Sequence, residues 1–180
     1  MNRISRRTAL AGLGFGAWLG AGCMTKPIRS DNPDGTHCFA VGKSYPPTLT
    51  CTPTPVPPMS VEAEAKRFEP AAGMLTIYVV RKRWGDGFNP VRLAVDDGAP
   101  VVTPPESFVR VRVRPGAHKL TAEWSEGTTA LTIAGAAGDV RFVELVGSAW
   151  VWGSTYRLEH GDPADGRRRA LALRLVADVR

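Results

Sequence analysis

The stretch Phe108-Val109-Arg110-Val111-Arg112-Val113-Arg114-Pro115-Gly116 decides the fold. Successive side chains of a strand point to opposite faces, so an alternation of valine and arginine reads as a half-buried strand. Val109, Val111 and Val113 would face a core, and Arg110, Arg112 and Arg114 would face solvent. Pro115-Gly116 then turns the chain. The same period resumes in Ala117–Trp124, with His118, Leu120, Ala122 and Trp124 on one face and Lys119, Thr121 and Glu123 on the other. Ser125-Glu126-Gly127 is a tight hairpin signal, so the next strand should return beside this one.

The pattern extends in both directions. Thr128–Ala134 and Val140–Val146 read as two more strands around Gly135–Asp139. Upstream, Met74–Arg81 has Leu75, Ile77 and Val79 on one face and Met74, Tyr78 and Val80 on the other. Apolar residues on both faces predict a central strand. Trp84–Pro90 reads as a loop, Val91–Val95 as a strand, Asp96-Asp97-Gly98 as a turn and Ala99–Val102 as a short extension. Strands at short intervals, with no long crossover helix between them, predict a mainly β domain. The expected architecture is an antiparallel β-sandwich of immunoglobulin- or transthyretin-like kind over residues 61–180. A short helix is expected at Val61–Glu69, with Ser60 as its cap and Pro70 as its stop. A second is expected from about Gly166 to Val176, capped by Asp165, although Leu171, Leu173 and Leu175 fit a short strand as well.

The N-terminus reads as an address. Arg3, Arg6 and Arg7 precede an apolar, glycine-rich run that ends in Ala21-Gly22-Cys23. That run is too short for a transmembrane helix, which needs about 20 mostly apolar residues. The pattern resembles a bacterial lipoprotein signal: residues 1–22 would be removed and Cys23 would carry a thioether-linked diacylglycerol and further acylation. Gly20 stands where a branched apolar residue is commonest. An ordinary secretory signal is the alternative. Ser5-Arg6-Arg7-Thr8-Ala9-Leu10 also resembles a twin-arginine export signal, which leaves two export routes open. Met24 is not the aspartate associated with inner-membrane retention, so an outer-membrane, periplasm-facing location is expected in a diderm.

This address changes the meaning of the charge. The 180 residues carry 23 Lys+Arg and 17 Asp+Glu, a formal net charge of +6. Losing the three leader arginines leaves 20 basic residues against 17 acidic ones, a mildly basic remainder of about +3. Nucleic acid is thereby disfavoured as a partner, the more so for an exported chain. Lipidation of Cys23 would leave Cys38 and Cys51 as an even pair in an oxidising compartment, which predicts a disulfide. A metal site using His37 with the two cysteines would have only three ligands and no paired spacing. Eight prolines between Pro27 and Pro58 preclude a regular helix or central strand across residues 23–60. That segment reads as a disulfide-stapled tether, extended over Thr52–Pro58, or alternatively as a Pro-rich partner motif.

The order of several short elements resembles a family of bacterial lipoproteins whose domain has no assigned function. They are Ile77-Tyr78-Val79-Val80-Arg81, Val95-Asp96-Asp97-Gly98, Ser107-Phe108, Pro115-Gly116-Ala117-His118-Lys119-Leu120 and Gly138-Asp139-Val140-Arg141-Phe142-Val143. The resemblance covers about residues 73–146 and, more loosely, Gly166-Arg167. The extra Asp in the turn and the Pro-rich segment depart from it. It implies a small β-sandwich on a lipid anchor and no catalytic residues.

No nucleophile elbow, zinc-protease motif or phosphate-binding loop is present. No catalytic residue, metal or cofactor is expected. His118 reads as a core-edge histidine bonded to backbone. Two groups are candidates for binding. Trp150, Trp152 and Tyr156 would share one strand face and could stack on a glycan or anchor a protein, or simply close an edge of the core. Arg110, Arg112 and Arg114 would form a solvated stripe, or meet lipid headgroups, lipopolysaccharide phosphates or peptidoglycan carboxylates. The leading expectation is a non-enzymatic structural or protein-interaction module of the cell envelope. Glycan or envelope-polymer binding through the tryptophan face is the second, and a hydrolytic enzyme the last.

Overall fold

The structure, a computed structural model, describes residues 31–41, 48–82, 89–150 and 153–180. Cys23, the leader, most of the 84–90 loop and Trp152 lie outside the described residues. The chain is mainly β, with sheets packed in layers and two short helices. In order the elements are β1 (Cys38–Val41), β2 (Thr48–Cys51), α1 (Met59–Ala65), β3 (Leu75–Lys82), β4 (Val91–Val95), β5 (Val101–Thr103) and β6 (Ser107–Val113). They continue with β7 (Gly116–Trp124), β8 (Gly127–Gly135), β9 (Val140–Trp150), β10 (Gly153–His160), α2 (Pro163–Leu171) and β11 (Arg174–Val179).

One sheet has the order β10-β9-β3-β6-β11 and the other β5-β4-β7-β8, with β1 and β2 forming a separate hairpin. The expectation of antiparallel pairing throughout needs correction. β3 runs parallel to β9 and β6 runs parallel to β11. Both pairs are closed by long excursions. The chain leaves β3, builds the whole four-stranded sheet and returns as β9; it leaves β6 and returns through β10 and α2. Period-two alternation is the same in parallel and antiparallel ladders, so the sequence carried no sign of this.

The central placement of β3 follows from its two apolar faces. Leu75, Ile77 and Val79 enter the main core between the sheets, with Val109 and Val111 of β6, Leu93 of β4, Leu120 and Ala122 of β7, and Val143 and Leu145 of β9. Tyr78 and Val80 point the other way, into a second core with Phe108, Phe142, Leu175, Ala65, Phe68 and Ala170. The helices cover that second face. Tyr78 and Phe142 stack with centroids 5.2 Å apart, and Phe68 meets Tyr78 edge-on at 5.1 Å. The molecule is therefore helices on a five-stranded sheet on a four-stranded sheet.

Both helices are shifted from their expected positions. α1 starts at Met59 behind Pro58, whose extended φ of −62° and ψ of 157° end the Pro-rich run, and no side chain caps it. In α2 the cap is Asp162, which accepts from the Asp165 backbone N–H at 2.8 Å, with proline opening the helix. Asp165 instead lies in the first turn and pairs with Arg168 and Arg169. Those two arginines fall in the last turn, where the helix dipole favours cations. The helix ends at Leu171 and the chain becomes β11, so both C-terminal readings hold in succession.

Gly166 shows how closely α2 sits on the sheet. A Cβ there would lie 2.4 Å from Phe142 Cδ1. Gly166→Ala should therefore destabilise the protein by about 1–3 kcal/mol through overpacking, more than the roughly 1 kcal/mol that alanine gains in helix propensity. A lowered thermal midpoint checks this; an unchanged or raised one would show that Phe142 can move aside.

The Pro-rich segment is not a free tether from residue 31 onward. Cys38 and Cys51 are disulfide-bonded and face each other across β1–β2. Val56 joins the main core. Arg174, only 1% exposed, grips Asp31 with two bonds of 3.0 and 2.7 Å, donates to the Pro57 carbonyl at 2.6 Å and pairs with Glu62. Glu62 in turn accepts from Lys66 at 2.6 Å and from the Leu175 N–H at 3.0 Å. Burial opposes the charge on both carboxyls, yet these donors hold Asp31 and Glu62 below the usual carboxylate range. His37 is buried beside Asp31. Desolvation pushes its imidazole below the ordinary value, so it is neutral and bonds Asp31 at 3.2 Å.

Candidate functional site

The arginine stripe divides three ways, because the outer face of β6 is roofed rather than solvated. Arg110 is 4% exposed, Arg112 is half-buried and Arg114 is exposed. Arg110 forms a two-pronged bond with Asp178, at 2.9 Å on each prong, and a third bond of 2.9 Å to Glu64 of α1. Arg112 reaches the same Asp178 at 2.6 Å and lies 3.6 Å from Glu64. Burial works against the Arg110 charge, but the Asp178 and Glu64 carboxylates outweigh it and raise its proton affinity. Arg110, in return, lowers the Glu64 carboxyl.

A bulge aims Asp178. Leu175 of β11 lies opposite Phe108 and faces the helices, and strict alternation from there would send Asp178 into the main core. The register slips between Leu175 and Ala177, so Ala177 pairs with Val109 and Asp178 with Arg110. The extra residue turns the carboxylate outward, onto the guanidinium. A bulge leaves no local mark in a short apolar run, which is why the sequence reading missed Asp178. Glu64 was legible as a helix residue but not as a partner across the sheet.

The cluster encloses a cavity of about 190 Å³ lined by Glu64, Glu69, Thr76, Tyr78, Arg110 and Arg112. Thr76 lies directly opposite Arg112 in the β3–β6 ladder, and Tyr78 opposite Arg110. The Tyr78 hydroxyl donates to the Ala65 carbonyl at 2.8 Å. Two atoms remain unsatisfied: among the described residues, Thr76 Oγ1 and Arg112 Nε are buried without a hydrogen-bond partner. Leaving such a group unpaired costs roughly 1–3 kcal/mol, so native structures seldom do it without a reason.

A second, more open cavity of about 450 Å³ lies between Thr52–Pro57, Pro100–Val102 at β5, and Val176–Asp178 of β11. β5 and β11 are each one of the two edge strands of their sheet, so this groove runs along one open margin of each.

The aromatic trio does not share one strand. β9 ends at Trp150 and β10 begins at Gly153, so Trp150 and Tyr156 belong to antiparallel neighbours. Trp150 pairs in register with Gly153 and Tyr156 with Gly147. Tyr156 is 5% exposed and packs edge-on against Trp124 at 5.3 Å, with the Arg81 guanidinium 5.4 Å from its ring centre. It closes the core rather than offering a stacking face. Trp152 and the Trp150 side chain lie outside the described residues. Arg81 was not singled out by its position in a strand. It is buried and donates to the carbonyls of Thr103 and Asn89 and to the Tyr156 hydroxyl.

His118 bonds to backbone as expected and to a carboxylate as well. One ring nitrogen lies 2.7 Å from Asp96 Oδ2 and the other 2.8 Å from the Arg114 carbonyl. Both partners only accept, so the ring is best satisfied as an imidazolium donating twice. Asp96 accordingly raises its proton affinity above the ordinary 6.5, more than partial burial lowers it. A raised folded-state value contributes stability that is fully present below pH 6.5 and is lost as pH rises through the folded value. The urea midpoint should therefore decline as pH rises above 6.5, and His118→Gln should remove that decline. A slope unchanged in the variant would assign it to another group.

Among the described residues no group of three His, Cys, Asp or Glu could hold a metal ion, and no helix is long and apolar enough to cross a membrane. No protein-family model matches the chain, and no curated protein matches it.

Proposed function

We propose that this is an exported, lipid-anchored protein of the cell envelope, acting as a non-enzymatic interaction module. The observation that carries the reading is the stapled N-terminal segment. A disulfide at Cys38–Cys51 suits an oxidising compartment, and the Asp31–Arg174 clamp ties the segment to the sandwich. With Cys23 as the anchor, seven residues lie between it and Asp31. The eight steps from Cys23 to Asp31 span at most about 28 Å when fully extended, which would hold the domain close to the lipid surface. The likeness of residues 1–23 to a lipoprotein signal is what motivates the same address. The immunoglobulin- or transthyretin-like description is kept for the two sheets around one core; the parallel pairs depart from it.

The groove beside the Pro-rich segment is the surface we assign to an envelope protein partner. Two sheet edges meet there, and edge strands are where extended partners add. The burial of Tyr156 weakens the alternative of a glycan bound on a tryptophan face. Two experiments test the reading. Cys23→Ala should move the protein from the membrane to the soluble fraction; retention in the membrane would refute the anchor. In-cell crosslinking should capture a stoichiometric partner that is lost when Arg92 in the groove is changed to Glu. A partner retained by that variant would move the interaction elsewhere.

A further inference from the structure

We infer that the outer face of the four-stranded sheet docks a second copy of this chain, face to face, about a two-fold axis that passes over Thr121 of β7. This goes beyond the interaction-module reading and needs neither the lipid anchor nor the groove between β5 and β11.

The argument starts from which side of this sheet is covered. Leu93, Leu120, Ala122 and Ile133 fill the main core, and both helices pack on the other sheet. The alternate residues therefore point away from the molecule. On β8 the outward residues Thr128, Ala130, Thr132 and Ala134 are all exposed, and the strand has no charged residue in its nine positions. On β7 Lys119 and Glu123 are exposed, with Thr121 half-buried between them. Exposed strands are normally guarded by charge against pairing with other chains, and β8 lacks that guard.

The ladder sets the outward residues in rows. Thr121 stands between Ala94 of β4 and Ala130 of β8, so the middle row is small and uncharged. Lys119 lies in the row on one side of it and Glu123 in the row on the other, each about 7 Å from Thr121 along the strand. Among the described residues neither forms an ion pair, whereas the exposed Arg141 and Arg157 are paired with Asp139 and Glu159.

A two-fold axis along the middle row, lying between two facing sheets, turns each β7 end for end. Lys119 of each copy then meets Glu123 of the other, in two equivalent pairs. The same axis carries Arg92, near the start of β4, toward the acidic turn Asp96-Asp97 that follows β4 in the second copy. An axis along β7 would instead set Lys119 on Lys119 and Glu123 on Glu123. Charge therefore selects one orientation, and the small middle row lets the sheets approach to the spacing of about 10 Å found in stacked sheets. The four strands present about 420 Å² of flat sheet per copy, taking a rise of about 3.4 Å per residue and a strand spacing of about 4.8 Å. Two such faces fall below the roughly 1,200 Å² of stable complexes, so the contact is weak and reversible.

The test is sedimentation velocity over a concentration series reaching about 1 mM. The full-length Cys23→Ala chain is used, so that neither a lipid nor an intermolecular disulfide at Cys23 can join two copies. The weight-average mass should rise toward twice that of the chain, and added salt should lower it. Lys119→Glu and Glu123→Lys should each weaken association about tenfold, because both pairs become like-charged. An equimolar mixture of the two variants should restore it, since every pair is then opposite again. Ala130→Arg should abolish association by filling the middle row, and it leaves both charge pairs in place. Three results would overturn the proposal: a mass that stays at one chain throughout; association that all three variants leave unchanged; or a mixture of the charge variants that associates no better than either alone. Lys119, Glu123 and Ala130 do not line the groove, so the crosslinking result with Arg92→Glu is read separately and either reading can fail without the other.

Discussion

Arg174→Ala should lower the free energy of unfolding by about 3–5 kcal/mol, the range for breaking a buried ion pair from one side. Arg174 and Glu62 are the most deeply buried charges of their cluster, at 1% and 2% exposure. Without the guanidinium, Glu62 keeps Lys66 and the Leu175 N–H, and Asp31 keeps only a neutral His37. A small domain has roughly 5–15 kcal/mol in total, so the variant should sit near the limit of folding. The damage should also be directional. Residues 31–57 are held by Asp31 and by the Pro57 carbonyl, so their amides should lose exchange protection before those of β3 and β6. Urea unfolding with an unchanged m-value measures the first effect and hydrogen exchange the second. A loss under 1 kcal/mol would mean that Asp31 and Glu62 rehydrate freely, and the clamp would not be structural. Arg174→Met paired with Glu62→Leu should cost less than Arg174→Ala, because no carboxylate is then stranded in the core.

Removing the disulfide should have the next largest effect. Cys38 and Cys51 are 13 residues apart, and closing a loop of that length is worth about 3 kcal/mol through the entropy of the unfolded chain. The Cys38→Ser, Cys51→Ser double variant should unfold at correspondingly lower urea. Here the loss should extend beyond the hairpin. Val56 belongs to the main core, and the Thr52 N–H donates to the His37 carbonyl at 2.9 Å, so the hairpin and the groove wall are continuous. If stability is unchanged, the β1–β2 pairing alone is sufficient, and the disulfide marks the compartment without holding the segment.

The two buried clusters explain where sequence reasoning stopped. The main-core faces of β3, β6 and β7 were legible because a strand with one apolar side declares itself at period two. The turn at Asp96-Asp97-Gly98 and the hairpin at Ser125-Glu126 were legible for a similar reason, since their residue types suit local backbone geometry. The cysteine pair followed from counting. The arginine stripe was visible as a pattern, but its environment was not. Val-Arg alternation shows that the arginines leave the main core. It does not show that α1 and β11 then cover Arg110 and Arg112. Asp31 and Arg174 are 143 residues apart, and no local rule connects them. Tyr156 failed as an exposed aromatic for the same reason: β9 ends and β10 begins inside what had been read as one strand.

What the sequence determined by itself was therefore the set of strands, the faces they turn toward the main core, and the chemistry of the cysteines. These depend on neighbours within a few residues, and hydrophobic period and turn propensity act at that range. Only the tertiary structure decided that two strand pairs run parallel and that a bulge turns Asp178 onto Arg110. It alone fixed the Pro-rich segment to the sandwich and set Glu64 and Asp178 over Arg110. Each of these depends on which distant segment comes to lie opposite. That is settled by the burial of whole faces and the pairing of buried charges, quantities that no single stretch of chain contains.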